Sequence, residues 1–90
     1  MHTSQIAKTQ AQQLIDILRA EPEHAAKARA IEEAEHLQRA IHAFHMEAVR
    51  FRSYTLHRML TQAEPGFSDR ARTAYQELKG ALEESGLTTR

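Results

Sequence analysis

Four histidines on one stretch, His36, His42, His45 and His57, are the side chains of this sequence best suited to chemistry, and His42 and His45 stand three residues apart. On a helix that spacing puts both imidazoles on one face, where they can offer two nitrogen ligands to a single metal ion. His45 falls inside the apolar arc of such a helix and His42 at its edge, with Gln38 and Glu35 on the same side. The same residues of a second, antiparallel chain would complete a four-ligand site. No carboxylate is placed to orient the rings, which favours the plainer expectation that His45 is a core histidine bonded to a polar neighbour.

Glu33-Ala34-Glu35-His36 contains the Glu-x-x-His spacing found in ferritin-like carboxylate bundles, but the resemblance stops at that tetrapeptide. The first helix offers only Asp16, on its polar side, so the motif reads as a solvated face. Arg52 falls within the apolar arc, where a guanidinium either reaches water past its packed stem or meets an acid across a dimer; the first is expected here. Arg50 and Arg58, with His57 and Tyr54, form a candidate basic surface for nucleic acid. Twelve Lys and Arg against twelve Asp and Glu give no net field to support it. No Ser-His-Asp arrangement or glycine-rich phosphate loop is present, so neither enzymatic activity nor a cofactor is expected.

The elements that position these residues are all helical. Ninety residues without cysteine describe one small α-helical domain, 1–90, that lacks a disulfide or thiolate metal staple. From about residue 4 to 20, Ile6, Ala7, Ala11, Leu14, Ile15 and Leu18 recur at helical spacing, with Thr3 or Ser4 as N-cap and Pro22 forcing the end. A last helix, about 68–85, is capped by Ser68, carries Ala71, Ala74, Tyr75, Leu78, Ala81 and Leu82 on one stripe, and ends at Gly86-Leu87. Between them, residues 22–63 read as one long central helix, because the 42 positions separating Pro22 from Pro65 hold neither glycine nor proline. That rod would be roughly 63 Å long, against about 30 Å for the diameter of a compact chain of this size.

Two short helices cannot cover so long a rod, and its seam of Ala34, Leu37, Ile41, Phe44, Ala48, Phe51 and Thr55 would meet water at its centre. The expectation is therefore a short-long-short, three-helix fold that forms an antiparallel helical-bundle homodimer through Leu37, Ile41, Phe44, Ala48 and Phe51. Charge supports that orientation. Residues 21–35 carry five acids against Lys27 and Arg29, three negative in sum, whereas 36–63 carry four arginines against Glu47, three positive. Neither an apolar span nor a leader pattern is present, so a cytoplasmic protein without membrane contact is expected. Together these features predict a non-enzymatic interaction, scaffold or regulatory module that self-associates. A metal-binding bundle using His42 and His45 and a nucleic-acid binder using Arg50 and Arg58 are the alternatives.

Overall fold

The outer stripes fold as their spacing predicts. In the computed structural model, which describes residues 3–62 and 66–87, helix α1 spans Thr3–Ala20 and buries Ala7, Ala11, Leu14, Ile15 and Leu18, while Ile6 stays half exposed. The side chains of Thr3 and Ser4, and residues Ala63, Glu64 and Pro65, lie outside the described residues. At the other end of the chain, Asp69–Glu84 forms the last helix, α4, and all six residues of its stripe are buried. Ser68 caps it by accepting from the Ala71 N–H (3.1 Å), and Asp69 in the first turn complements the helix dipole. Its end is a Schellman turn, with Gly86 at φ +78°, the Leu87 N–H donating to Leu82 O (2.9 Å) and the Leu87 side chain buried. Gly80 is not there for close packing, since a methyl at that position would meet no atom within 4 Å.

The long central helix does not form. Residues 27–62 make two helices, α2 over Lys27–His42 and α3 over Met46–Gln62, folded back on each other at Ala43-Phe44-His45. The His45 N–H donates to Ala40 O (3.0 Å) and the Phe44 N–H to Ile41 O (3.1 Å), which is a second Schellman turn. Here the left-handed position is filled by Phe44, at φ 55°, instead of by glycine. That conformation costs an ordinary residue about 1–2 kcal/mol, so something must offset it. The compensation is burial. Ala30, Ala34, Leu37 and Ile41 are buried on α2, and Val49, Ser53, Leu56 and Leu60 on α3, two stripes of identical spacing set 19 residues apart. Nineteen steps at about 100° leave a remainder of about 100°, so on one straight rod the stripes would face different directions. Folding at Phe44 turns both toward the same core.

This overturns the basis of the expected homodimer. Leu37 and Ile41 are fully buried within their own chain, Ala48 is half-buried, and Phe44 and Phe51 stay outside. Leu37 and Ile41 are sheltered by the chain itself, in a fold of four helices among the described residues, and the continuous rod that was to carry the seam is absent. Arg52 is corrected as well. Its Nη1 donates to both carboxylate oxygens of Glu33 (3.1 and 3.2 Å), tying α3 to α2 within one chain, and Glu33 is buried instead of solvated.

Helix α2 also begins later than Pro22, at Lys27, because residues 21–26 are occupied elsewhere. Lys27 Nζ donates to Glu21 O (2.7 Å), and the His24 ring meets Phe67 edge-on with centroids 4.7 Å apart. The Glu21 carboxylate crosses to α4, where it accepts from the Ser68 N–H (3.1 Å) and from the Ser68 hydroxyl. One end of α1 is thereby fixed to the start of α4.

Cross-helix bonds give the directions. Gln38 donates to Gln12 and Arg19 to Glu35, so α1 and α2 run antiparallel, and the chain continues up-down-up-down. Each helix has two neighbours, α1 touching α2 and α4, and α3 touching α2 and, more lightly, α4. The radius of gyration is 12.1 Å, the size of a compact chain of this length.

The two turns give separate predictions. Phe44→Gly and Phe44→Ala remove the same ring, so their difference reports backbone alone. In the left-handed turn the glycine variant should be the more stable by about 1 kcal/mol in urea denaturation, whereas a continuous helix would reverse that order by a similar amount. In a double-mutant cycle, Glu21→Ala and Ser68→Ala should each destabilise by about 1–3 kcal/mol. The combined variant should lose at least 1 kcal/mol less than their sum, and strict additivity would disprove the clamp.

Candidate functional site

Helix α3 buries fewer apolar residues than any other, with Val49, Leu56 and Leu60 against five in α1, five in α2 and six in α4. What it does not bury defines the site. Phe51 and Tyr54, three residues apart and so on one face, are each 60% exposed. With Thr55, Arg58, Met59 and Gln62 they form one bank of an open groove of about 640 Å³. The opposite bank is the start of α2 and the residues before it, Ala25, Ala26 and Arg29. Ala25, Ala26, Phe51, Tyr54 and Met59 supply its apolar surface, and two guanidinium groups cover the rings: Arg52 lies 5.4 Å from the Phe51 centroid and Arg58 lies 5.8 Å from that of Tyr54. Among the described residues no aspartate or glutamate lines the groove.

On its other side α3 parts from α4, leaving a more polar cleft of about 510 Å³ lined by Arg50, Ser53, His57, Tyr75, Lys79 and Glu83, with Tyr54 at its edge. At its floor the Tyr75 hydroxyl donates to Ser53 O (3.0 Å), which leaves Ser53 Oγ to donate to Tyr75 Oη (3.3 Å). Burial pushes the Tyr75 phenol above its usual 10.0; the hydrogen bond from Ser53 pulls it partly back, and the charge of Glu83 adds to the rise. A phenol held neutral and a serine whose proton goes to that phenol are the reverse of an activated nucleophile.

The sequence-predicted site residues are scattered by the turn. His42 ends α2 and His45 precedes α3, both exposed, with the His45 carbonyl accepting the Val49 N–H (2.9 Å) as the first bond of α3. Among the described residues no three His, Cys, Asp or Glu gather as a metal site. His36 accepts from Arg39 at its Nδ1 (2.9 Å), and His57 packs beside Tyr75 with ring centroids 5.8 Å apart. Arg50 and Arg58 do not share a surface, since Arg50 faces the α4 cleft and Arg58 the α2 groove. Of the expected dimer residues, Phe51 alone lies in the groove. Tyr54 was legible only as an aromatic beside arginines. The Ser53–Tyr75 bond had one sequence signal, a serine inside an otherwise apolar stripe.

The raised Tyr75 gives a pH prediction. An acid whose folded pKa exceeds its unfolded one stabilises the fold fully below the unfolded value, here about 10, and that contribution is lost as pH rises through the folded value. Stability should therefore fall above about pH 10, and Tyr75→Phe should flatten that part of the profile. In a Tyr54→Phe background, where Tyr75 is the sole tyrosine, ultraviolet titration should place its ionisation above 10; an ordinary value would refute the shift.

Comparison with known proteins returns no matching family model, no matching curated protein and no matching solved structure. What the chain does is to be read from its own side chains.

Proposed function

We propose that this protein is a non-enzymatic interaction module that docks a partner along the outer face of α3. The observation that carries this is the exposure of Phe51 and Tyr54 on one side of a helix whose other side is already in the core. Leaving two large aromatic rings in water wastes about 1–2 kcal/mol each that burial would recover. Clustered exposure of that kind, rimmed by charge, is the usual mark of a binding surface.

The competing roles have less behind them. Metal binding through His42 and His45 would need ligands from elsewhere, and the rod dimer that was to bring them does not form. A nucleic-acid surface would want Arg50 and Arg58 side by side, and they face different grooves. Self-association through Leu37 and Ile41 has little to support it, since both side chains are buried in the core of their own chain.

Truncation separates core from docking surface. Ile41→Ala should cost about 2–5 kcal/mol of stability, while Phe51→Ser and Tyr54→Ser should each cost about 1 kcal/mol or less. On the folded double variant, small aromatic fragments monitored by NMR should lose the groove site that they occupy in the parent protein. Fragments that ignore the groove, or a double variant that unfolds, would end the assignment.

A further inference from the structure

The groove between α2 and α3 has a sign as well as a shape. Among the described residues its lining holds Arg29 and Arg58 and no acid, although the chain as a whole is neutral. A second, independent source of positive potential lies on the same bank. Helix α2 starts beside Ala25 and Ala26 with no acidic residue in its first turn, and its first N–H groups meet only neutral acceptors of His24, the Lys27 N–H donating to His24 O (3.1 Å) and the Ala26 N–H to His24 Nδ1 (3.3 Å). Such a helix end carries about half a positive charge and favours carboxylates. Glu23, the acid nearest in sequence, is taken up by Lys27 (3.6 Å).

The shape fits a helix. Along α3 the lining runs from Phe51 to Gln62 at helical spacing, a length of about 17 Å or three turns. The facing bank is built from Ala25 and Ala26, whose small side chains let a third helix approach closely, as ridges packing into grooves require. A partner helix laid there would bury apolar residues spaced by three and four against Phe51, Tyr54 and Met59, and its flanks would meet Arg29, Arg58 and the start of α2.

Resting on the docking role of α3, we infer that the partner is an acidic amphipathic helix of another protein. The groove face carries Arg29 and Arg58, while Arg52 is paired with Glu33 of its own chain, so a second copy offering the same face would set arginine against arginine. Among the described residues the remaining large exposed apolar side chains are Ile6, Phe44 and Met46, and neither α2 nor α4 contributes one.

Two displayed libraries of helical peptides test this. Both randomise one apolar stripe; one fixes its flanks as glutamate and the other as lysine. Selection on the parent protein should enrich the glutamate library, with its best members binding about ten-fold or more tighter than those of the lysine library at low salt, and the gap should narrow as salt rises. Binding should vanish on the Phe51→Ser, Tyr54→Ser variant, and Arg29→Glu with Arg58→Glu should reverse the preference. Equal or lysine-favouring enrichment would overturn the acidic partner while leaving α3 as the docking face. If neither library yields a binder sensitive to Phe51 and Tyr54, the docking face itself fails. Light scattering that shows a dimer broken by the same substitutions would assign the groove to a second copy and overturn the inference.

Discussion

Three residues of non-helical backbone, Ala43 to His45, decide which way both apolar stripes of the central segment face. The constraint is angular. Ala30, Ala34, Leu37 and Ile41 repeat at Val49, Ser53, Leu56 and Leu60 after 19 positions, a displacement that a straight helix converts into about 100° of rotation. A continuous rod could bury one of those stripes and would leave the other wet. Several side chains worth about 1.5–3 kcal/mol apiece on burial outweigh one residue held in the left-handed region at about 1–2 kcal/mol. The turn is therefore stable without glycine, and once it forms, α3 lies beside α2 with Arg52 and Glu33 joined across the hairpin.

The ends of the chain were legible in the sequence because their local and tertiary signals agree. Ser68, Asp69 and Gly86 mark the limits of α4 by the same chemistry that holds them in the structure, and the stripes of α1 and α4 are the ones buried. The middle was not, because punctuation by glycine and proline is a statement about local propensity, and Phe44 adopts its conformation only under tertiary compulsion. A phase shift between the stripes was nonetheless present. Val49, Leu56 and Leu60 fall outside the seam through Phe44, Ala48 and Phe51 that a straight axis makes continuous. The start of α2 failed differently. Proline at residue 22 suits a helix opening, but Glu21, His24 and Lys27 are committed to contacts with the start of α4 and with the linker itself, and those partners lie up to 47 residues away.

The site followed the fate of the turn. As long as the helix was read as unbroken, Phe51 belonged to a self-complementary seam and the arginines of 36–63 to one half of an antiparallel pair. With the chain folded at Phe44 the basic half becomes α3 itself, its arginines divide between two grooves, and Phe51 joins Tyr54 on the outside. The charge asymmetry seen in the sequence survives; on the inferred docking role it favours an acidic partner instead of pairing with a copy.

Helix α3 is also the element with least support from its own chain. It buries three apolar residues, packs fully against α2 and touches α4 lightly, leaving the polar Ser53, His57 and Tyr75 cleft between them. Each of the other helices contributes at least five apolar residues to the core. A helix docked in the α2–α3 groove would cover Phe51 and Tyr54 and supply α3 with the apolar neighbour that it lacks. On the proposed role, the shortage of core on α3 and the surplus of aromatic surface on the same helix have one cause: part of the packing of α3 is left for another molecule to complete. Stability and binding are then coupled through one helix, since whatever fills the groove also holds α3 against the rest of the bundle.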